Sequence, residues 1–273
     1  MIVENNWLTT NIKQRAANIN LDFKVTINPY PYQKMSFAEA SENVAKKIAK
    51  LNKPIYVGYS GGIDSEYVVK TFMKCNIPFK TVTVETGGNR YEKQYVDRFL
   101  YEFPSVVNEK VDLTNPKQFM TKCIDIFKTF NILALGSIPQ LEAASYVKQK
   151  NGILIVGEHF IGENNKTNGN IMAEANEWDF YCDFFVDDNL VVPFFMYDLS
   201  IVDSYVSTFD NTKVEYFKEK LYSIPFRPKF YNHFINKKFV KVFDEMKIKM
   251  KPTGKKSYVV TKQGLLNAIK GQL

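Results

Sequence analysis

Short apolar runs alternate with stretches of helical periodicity along most of this chain. β-Branched and aromatic residues gather at 54–57, 79–86, 105–111 and 153–157, a pattern suited to strands buried on both faces. Between these runs, apolar residues recur at three- and four-residue spacing. Ser36 and Glu39 read as a capping box opening the helix FAEASENVAKKIAKL, with Phe37, Val44, Ile48 and Leu51 as core contacts and Pro54 beyond its end. A second helix buries Val68, Val69, Phe72 and Met73 and stops at Asn76 and Pro78. A third covers 90–103. Asn115 and Pro116 are N-cap and first residue of a fourth that runs to about Phe130. Ser137, Pro139 and Gln140 open a fifth, which Asn151 and Gly152 close. The alternation predicts an α/β fold, a largely parallel sheet with helices on both faces.

The pattern weakens at both ends. Residues 1–50 read as an irregular N-terminal wrap and a lead-in helix, with Pro29 and Pro31 interrupting any earlier one. Residues 51–210 form the main domain, and 211–273 a helical, basic C-terminal appendage broken by Pro225, Pro228 and Pro252. Residues 163–170, ENNKTNGN, have the composition of a loop, either a lid or a plain surface excursion. Residues 178–185 and 190–195 flank VDDN as a hairpin or as an excursion at the sheet edge.

Chemistry concentrates at 54–72, PIYVGYSGGIDSEYVVKTF. An apolar strand runs into two glycines framed by serines, then into an amphipathic helix. Gly61 and Gly62 permit positive φ and close backbone approach, and Asp64 and Ser65 fall where the helix begins. A helix start offers backbone amides without intrahelical acceptors and the positive end of the macrodipole, which together hold phosphate oxygens. Ser60 and Ser65 add hydroxyls, and Asp64 suits a magnesium ion held against a polyphosphate. A bare glycine pair would be read as a tight strand-to-helix turn and nothing more.

SGGIDS resembles the pyrophosphate-binding loop of the PP-loop family, the N-type ATP pyrophosphatases, whose pattern is SGGxDS after a strand. Ser60, Gly61, Gly62, Asp64 and Ser65 all match; the Gly-Lys-Ser/Thr ending of a Walker A loop is missing. The resemblance implies a Rossmann-like fold and, in the family's synthetases, cleavage of ATP between its α and β phosphates with transfer of AMP to a substrate oxygen. It makes residues 59–65 (Tyr59, Ser60, Gly61, Gly62, Ile63, Asp64, Ser65) the nucleotide loop, with ATP and Mg2+ as cofactors. It also implies that Val84, Glu85 and Thr86, where the next strand ends, receive adenine and ribose, though an ordinary strand terminus fits equally. Gly136 and Ser137 occupy a helix start that faces the nucleotide in the family; capping alone also accounts for them. Gly157 and Glu158, at the exit of the 153–157 strand, stand where relatives use a glycine and acidic residues, with Glu158 joining Asp64 as a magnesium ligand. Nearby, His159 is a conceivable acid or base and Glu163 a further acid. In 191–206, Pro193 and the helix from Asp198 match the family's Arg-Pro-Leu turn, but Val192 replaces the arginine. Downstream, IPFRPKFY places Arg227 and Lys229 on a proline-stiffened segment, as catalytic cations for the α or β phosphate or as solvated surface charges.

Composition narrows the class. In 273 residues, 45% hydrophobic and 15% aromatic, there is enough apolar side chain for a full core. No apolar run is long enough to span a bilayer and residues 1–13 lack a signal peptide's pattern, so the expected compartment is the cytoplasm. Cys75, Cys123 and Cys182 are far apart, which argues against a zinc site, an iron–sulfur cluster or a reductase cysteine near the C-terminus. The net charge of +7 lies almost wholly in 227–256, where ten Lys or Arg face only Asp244 and Glu245. Such a patch either docks nucleic acid or is a solvated helix face. The function that the SGGIDS resemblance implies is an AMP-forming, ATP-dependent enzyme acting on a small carboxylate or carbonyl acceptor. The alternatives are a nucleic-acid base modifier and a nucleotide-binding module without turnover, such as a phosphoadenylylsulfate reductase-like protein without its cysteine.

Overall fold

The computed structural model describes residues 7–10, 25–86, 89–130, 138–157, 161–163, 171–173, 190–209, 214–227, 258–260, 267 and 270. Strands β1 (Leu8–Thr10) and β2 (Val25–Ile27) pair antiparallel ahead of α1 (Phe37–Ala49). The Trp7 indole is fully buried and donates to the Met196 carbonyl at 2.9 Å, which ties this lead-in segment to the main core. Helix α1 starts where the capping box predicts. Ser36 Oγ accepts from the Glu39 amide at 3.3 Å, and Glu39 accepts in return from the Ser36 amide at 2.9 Å.

The main unit then alternates: β3 (Ile55–Gly58), α2 (Ile63–Lys74), β4 (Lys80–Thr86), α3 (Arg90–Glu102), β5 (Asn108–Leu113), α4 (Pro116–Phe130), α5 (Ile138–Gln149) and β6 (Ile153–Val156). Asn76 and Asn151 stand at φ 52°, the left-handed position that ends a helix when a short polar side chain tolerates it. The Asn115 carboxamide accepts from the Lys117 and Gln118 amides at 2.9 and 3.3 Å, so Asn115–Pro116 opens α4 as its sequence predicts.

Strand β9 (Val191–Pro193) lies parallel to β6, which completes a five-stranded, all-parallel sheet in the order β5-β4-β3-β6-β9. Its alternate residues feed two cores. Ile55, Val57, Ile153 and Ile155 pack toward α1, α2 and α3, whereas Tyr56, Leu154 and Val156 pack toward α4 and α5. Helices therefore cover both faces, and the fold is the expected Rossmann-like α/β arrangement. The strand order reverses between β3 and β6. In an open parallel sheet, the crevice for a ligand opens at the carboxyl ends of the two strands on either side of such a reversal.

Beyond β9, a short 3-10 turn (Phe194–Met196) leads into α6 (Leu199–Thr208), and α7 (Val214–Tyr222) follows. Asp198 caps α6 by accepting from the Ser200 amide at 2.7 Å. Residues 199–206 are all buried, so this helix is a core element.

Three expectations are corrected, and one open alternative is decided. Strand β5 starts at Asn108 rather than 105, because a turn in which the Val106 amide donates to the Phe103 carbonyl at 3.0 Å uses those residues. Of the two readings of 190–195, residues 191–193 follow the sheet edge, in a parallel ladder with β6, and not the hairpin; 178–185 lie outside the described residues. Three short strands, β7 (Ile161–Glu163), β8 (Ile171–Ala173) and β10 (Tyr258–Val260), form a second, antiparallel sheet. The C-terminal region therefore contributes a strand where only helices are expected, and Glu163 belongs to that sheet rather than to the exit of β6. No helix among the described residues is long and apolar enough to cross a membrane.

Candidate active site at the β3–α2 turn

Residues 59–62 connect the carboxyl end of β3 to α2 at the point where the strand order reverses. Gly61 has φ 83°, as its sequence context demands, while Gly62 is the N-cap at an ordinary φ of −77°. A Cβ on Gly61 would stand 2.5 Å from the Glu92 carbonyl oxygen and 3.2 Å from Val96 Cγ2. The loop thus lies directly on the first turns of α3. On the opposite side, a Cβ on Gly157 would come within 3.0 Å of the Asp64 carbonyl carbon and the Ser65 nitrogen, so the exit of β6 abuts the first turn of α2.

The serines shape this loop from within. Ser65 Oγ donates to the Gly62 carbonyl at 2.9 Å and lies 3.3 Å from Ser60 Oγ, which accepts from the Gly62 amide at 3.3 Å. The first-turn amides of α2, those of Ile63 and Ser65 among them, have no carbonyl one turn back to donate to. Together with the helix dipole they make the loop mouth a site for an anion.

Two cations come to this loop from a single segment, α7 and the residues after it. Lys218 Nζ stands 2.8 Å from Asp64 Oδ2, and the Tyr222 hydroxyl donates to Asp64 Oδ1 at 3.0 Å. The Lys218 and Asp64 side chains are only 13% and 23% exposed. Tyr222 is fixed by ring contacts with Tyr67 at 4.5 Å and Phe195 at 5.8 Å. Burial, and then the Asp64 charge, push its phenol well above the usual tyrosine range, which keeps the hydroxyl a donor.

Five residues further on, Arg227 donates through Nη1 to the Gly61 carbonyl at 2.6 Å, pairs through Nη2 with Glu66, and covers the Tyr95 ring at 4.6 Å. Burial pushes the Glu66 carboxyl up, but hydrogen bonds and charge from Lys70 and Arg227 together outweigh it and hold it below the ordinary 4.5. Asp198 behaves alike: burial raises it, and Lys47 and Ser200 bring it below 3.8.

Both depressed carboxylates stabilise the fold fully above the pKa values they have when unfolded. As pH falls, the unfolded chain takes up their protons first, so that stability drains away below about pH 4.5. Melting midpoints measured from pH 7 to pH 3 should be flat above pH 5 and fall steeply below it. Glu66→Gln should show a lower plateau and a shallower acid limb; an unchanged limb would remove Glu66 from this account.

Not every expected site residue faces the loop mouth. Tyr59 is 1% exposed, with its ring against Phe99 at 5.1 Å and its hydroxyl donating to Glu66 at 3.2 Å. Its side chain is core, and only its backbone belongs to the loop. Val84 points into the core on the α4–α5 side, and the Thr86 amide donates to Asn89 Oδ1 at 2.8 Å. Glu85 is the one side chain of the three that reaches partial exposure, between Lys93 at 3.4 Å and Lys110 at 3.3 Å. Val192 is fully buried in β9, so the position that the sequence sets against the arginine of an Arg-Pro-Leu turn is core here. Gly136, Ser137, Glu158, His159 and Lys229 lie outside the described residues.

Lys218, Tyr222 and Glu66 escape the sequence reading, although signals for them exist. Glu66 is one helical turn before Val69, on the apolar side of its helix, where an acid needs a partner. Lys218 and Tyr222 are four residues apart and so share a face of α7.

No family model matches this chain, and no curated protein matches it. Among solved structures, an NH3-dependent NAD synthetase from Campylobacter jejuni is similar over 48% of this chain, at 17% identity and a TM-score of 0.32. The chain spans 58% of the length of that enzyme. An NMN synthetase from Francisella tularensis is similar over 88% of this chain and 94% of its own, at 15% identity and a TM-score of 0.37.

Proposed function

We propose that this protein cleaves ATP between the α and β phosphates and transfers AMP to a carboxylate or carbonyl oxygen, releasing pyrophosphate. The observation that carries the proposal is the SGGIDS turn itself: left-handed at Gly61, opening α2 at the sheet reversal, with Lys218 brought to its aspartate. The β and γ phosphates sit on the first-turn amides and the Ser60 and Ser65 hydroxyls. The acceptor oxygen attacks the α phosphorus, the bond to the bridging oxygen breaks, and pyrophosphate leaves with its charge already matched by that cradle. Lys218 turns from Asp64 to a phosphoryl oxygen as charge develops there. No protein nucleophile is required; the work is positioning and electrostatic stabilisation.

Magnesium fits this donor set. Such ions usually take one or two protein carboxylates and complete their shell with phosphate and water. Asp64 supplies one carboxylate; among the described residues no three His, Cys, Asp or Glu side chains cluster to form a cage, and Glu158 lies outside them. When bound, the ion neutralises polyphosphate charge.

Isotope exchange tests this reading. With the correct acceptor present in a pool of metabolites, labelled pyrophosphate should enter ATP. Exchange that never exceeds background in any pool fraction would point to a nucleotide-binding module without turnover. The charge of 227–256 supports a second reading, in which the acceptor is a base in nucleic acid. Binding to RNA that weakens steeply between 50 and 200 mM salt would favour it, since counterion release sets that slope.

A further inference from the structure

The Gly61–Gly62 peptide is the most easily rotated unit of the loop, since a glycine on each side leaves its plane little steric restraint. In a trans peptide the carbonyl and the N–H point in opposite directions. The Gly61 carbonyl accepts from Arg227, and the Gly62 N–H turns the other way, toward Ser60 Oγ. A half-rotation would present the carbonyl oxygen, the negative end of the peptide dipole, to an anion in the loop.

We propose that Glu66 and Arg227 are a positioning pair that locks this peptide with its carbonyl turned out of the loop and its N–H on Ser60 Oγ, a hydroxyl of the anion cradle, Arg227 acting through the loop and not on the phosphate. The inference rests on the pyrophosphate reading of the loop and assigns Arg227 a different task from the phosphate contact its sequence suggests. The guanidinium is already committed to three partners: the Gly61 carbonyl, the Glu66 carboxylate and the Tyr95 face. Glu66, with a side chain only 4% exposed, is held in turn by Tyr59 and Lys70. Swinging Arg227 to a phosphate would strip its closest partner from a buried carboxylate, which is costly. Lys218, by contrast, faces a carboxylate at the loop mouth and is the cation placed to meet the phosphate.

The test compares Glu66→Gln, Arg227→Gln, Arg227→Lys and the double Gln variant, with inorganic pyrophosphate as the probe in calorimetry. Ser36→Ala, which loses a distant helix cap, is the control for stability loss alone. Each Gln variant should weaken pyrophosphate binding about tenfold, and the double variant no more than Arg227→Gln alone, because the two act as a unit. Arg227→Lys, which keeps the charge but not the fork, should fall between them and wild type. Ser36→Ala should melt lower with affinity unchanged.

A contact between Arg227 and phosphate predicts the opposite for Glu66→Gln: freeing the guanidinium would leave binding equal or tighter, and that result overturns the proposal. Hydrogen exchange of residues 59–66 without ligand gives an independent arm. It should quicken in Arg227→Gln and Glu66→Gln; unchanged exchange overturns the positioning role as well. Should the wild-type protein fail to bind pyrophosphate, the pyrophosphate reading falls, and the exchange arm alone decides whether the pair holds the loop.

Discussion

Lys218→Met should lower the rate of AMP formation by roughly 10²- to 10³-fold, the usual cost of removing one preorganised charge-stabilising group. It should also cost some stability. The Lys218–Asp64 pair is mostly buried, so losing the ammonium leaves the carboxylate short of its cation, although methionine keeps most of the lysine stem in place and Asp64 retains the Tyr222 hydroxyl. A melting midpoint roughly 5–10 °C below wild type is expected, with the fold retained. Steady-state rates in saturating ATP, with circular dichroism alongside, separate the two effects. Lys218→Arg should recover little, because a planar fork does not reproduce a point charge on this geometry. A rate within about fivefold of wild type for Lys218→Met would show that Lys218 only neutralises Asp64 and has no place on the phosphate.

Gly61→Ala has the largest expected effect on the loop. An L-residue at φ 83° carries backbone strain of about 1–2 kcal/mol. The new methyl would also meet the Glu92 carbonyl at 2.5 Å, and overpacking against backbone adds roughly 1–3 kcal/mol. The turn or the α3 packing beneath it must shift. The melting midpoint should drop by roughly 5–15 °C, and pyrophosphate binding should be lost at any practical concentration. Gly62→Ala is the comparison: its φ is ordinary, and its Cβ would meet only Ser60 Oγ at 3.3 Å. That variant should melt close to wild type. Equal losses in both would mean that the loop depends on glycine content rather than on the left-handed peptide at 61.

The loop and the sheet were legible because their causes are local. The short apolar runs of β3 and β6, asparagines at the left-handed helix ends, and the Ser36–Glu39 box all act within a few residues of themselves. A glycine pair between a strand and a helix N-terminus likewise signals its conformation without help from the rest of the chain. The family motif then attached a chemistry to that shape.

What stayed hidden depends on distant packing. Whether Lys218, rather than Lys220, reaches Asp64 is set by the rotation of α7 on α2, and sequence spacing fixes only which residues share a face. Arg227 was visible as a cation stiffened by proline, but its acceptors, a backbone carbonyl and a buried glutamate more than 150 residues away, were not. Tyr59 was misplaced for a related reason. Its position at the strand end marks it for the crevice, but strand alternation turns its ring toward Phe99. The edge strand β9 was ambiguous because a three-residue apolar run carries no sign of whether its partner lies parallel or antiparallel.

The most direct measurement is product analysis with α-labelled ATP and magnesium, for the wild-type protein and Asp64→Ala, in the presence of metabolite and RNA fractions. The account predicts label in AMP or an adenylated acceptor, with pyrophosphate released in equal amount, and loss of both in Asp64→Ala. Label in ADP, or turnover that survives Asp64→Ala unchanged, would contradict it.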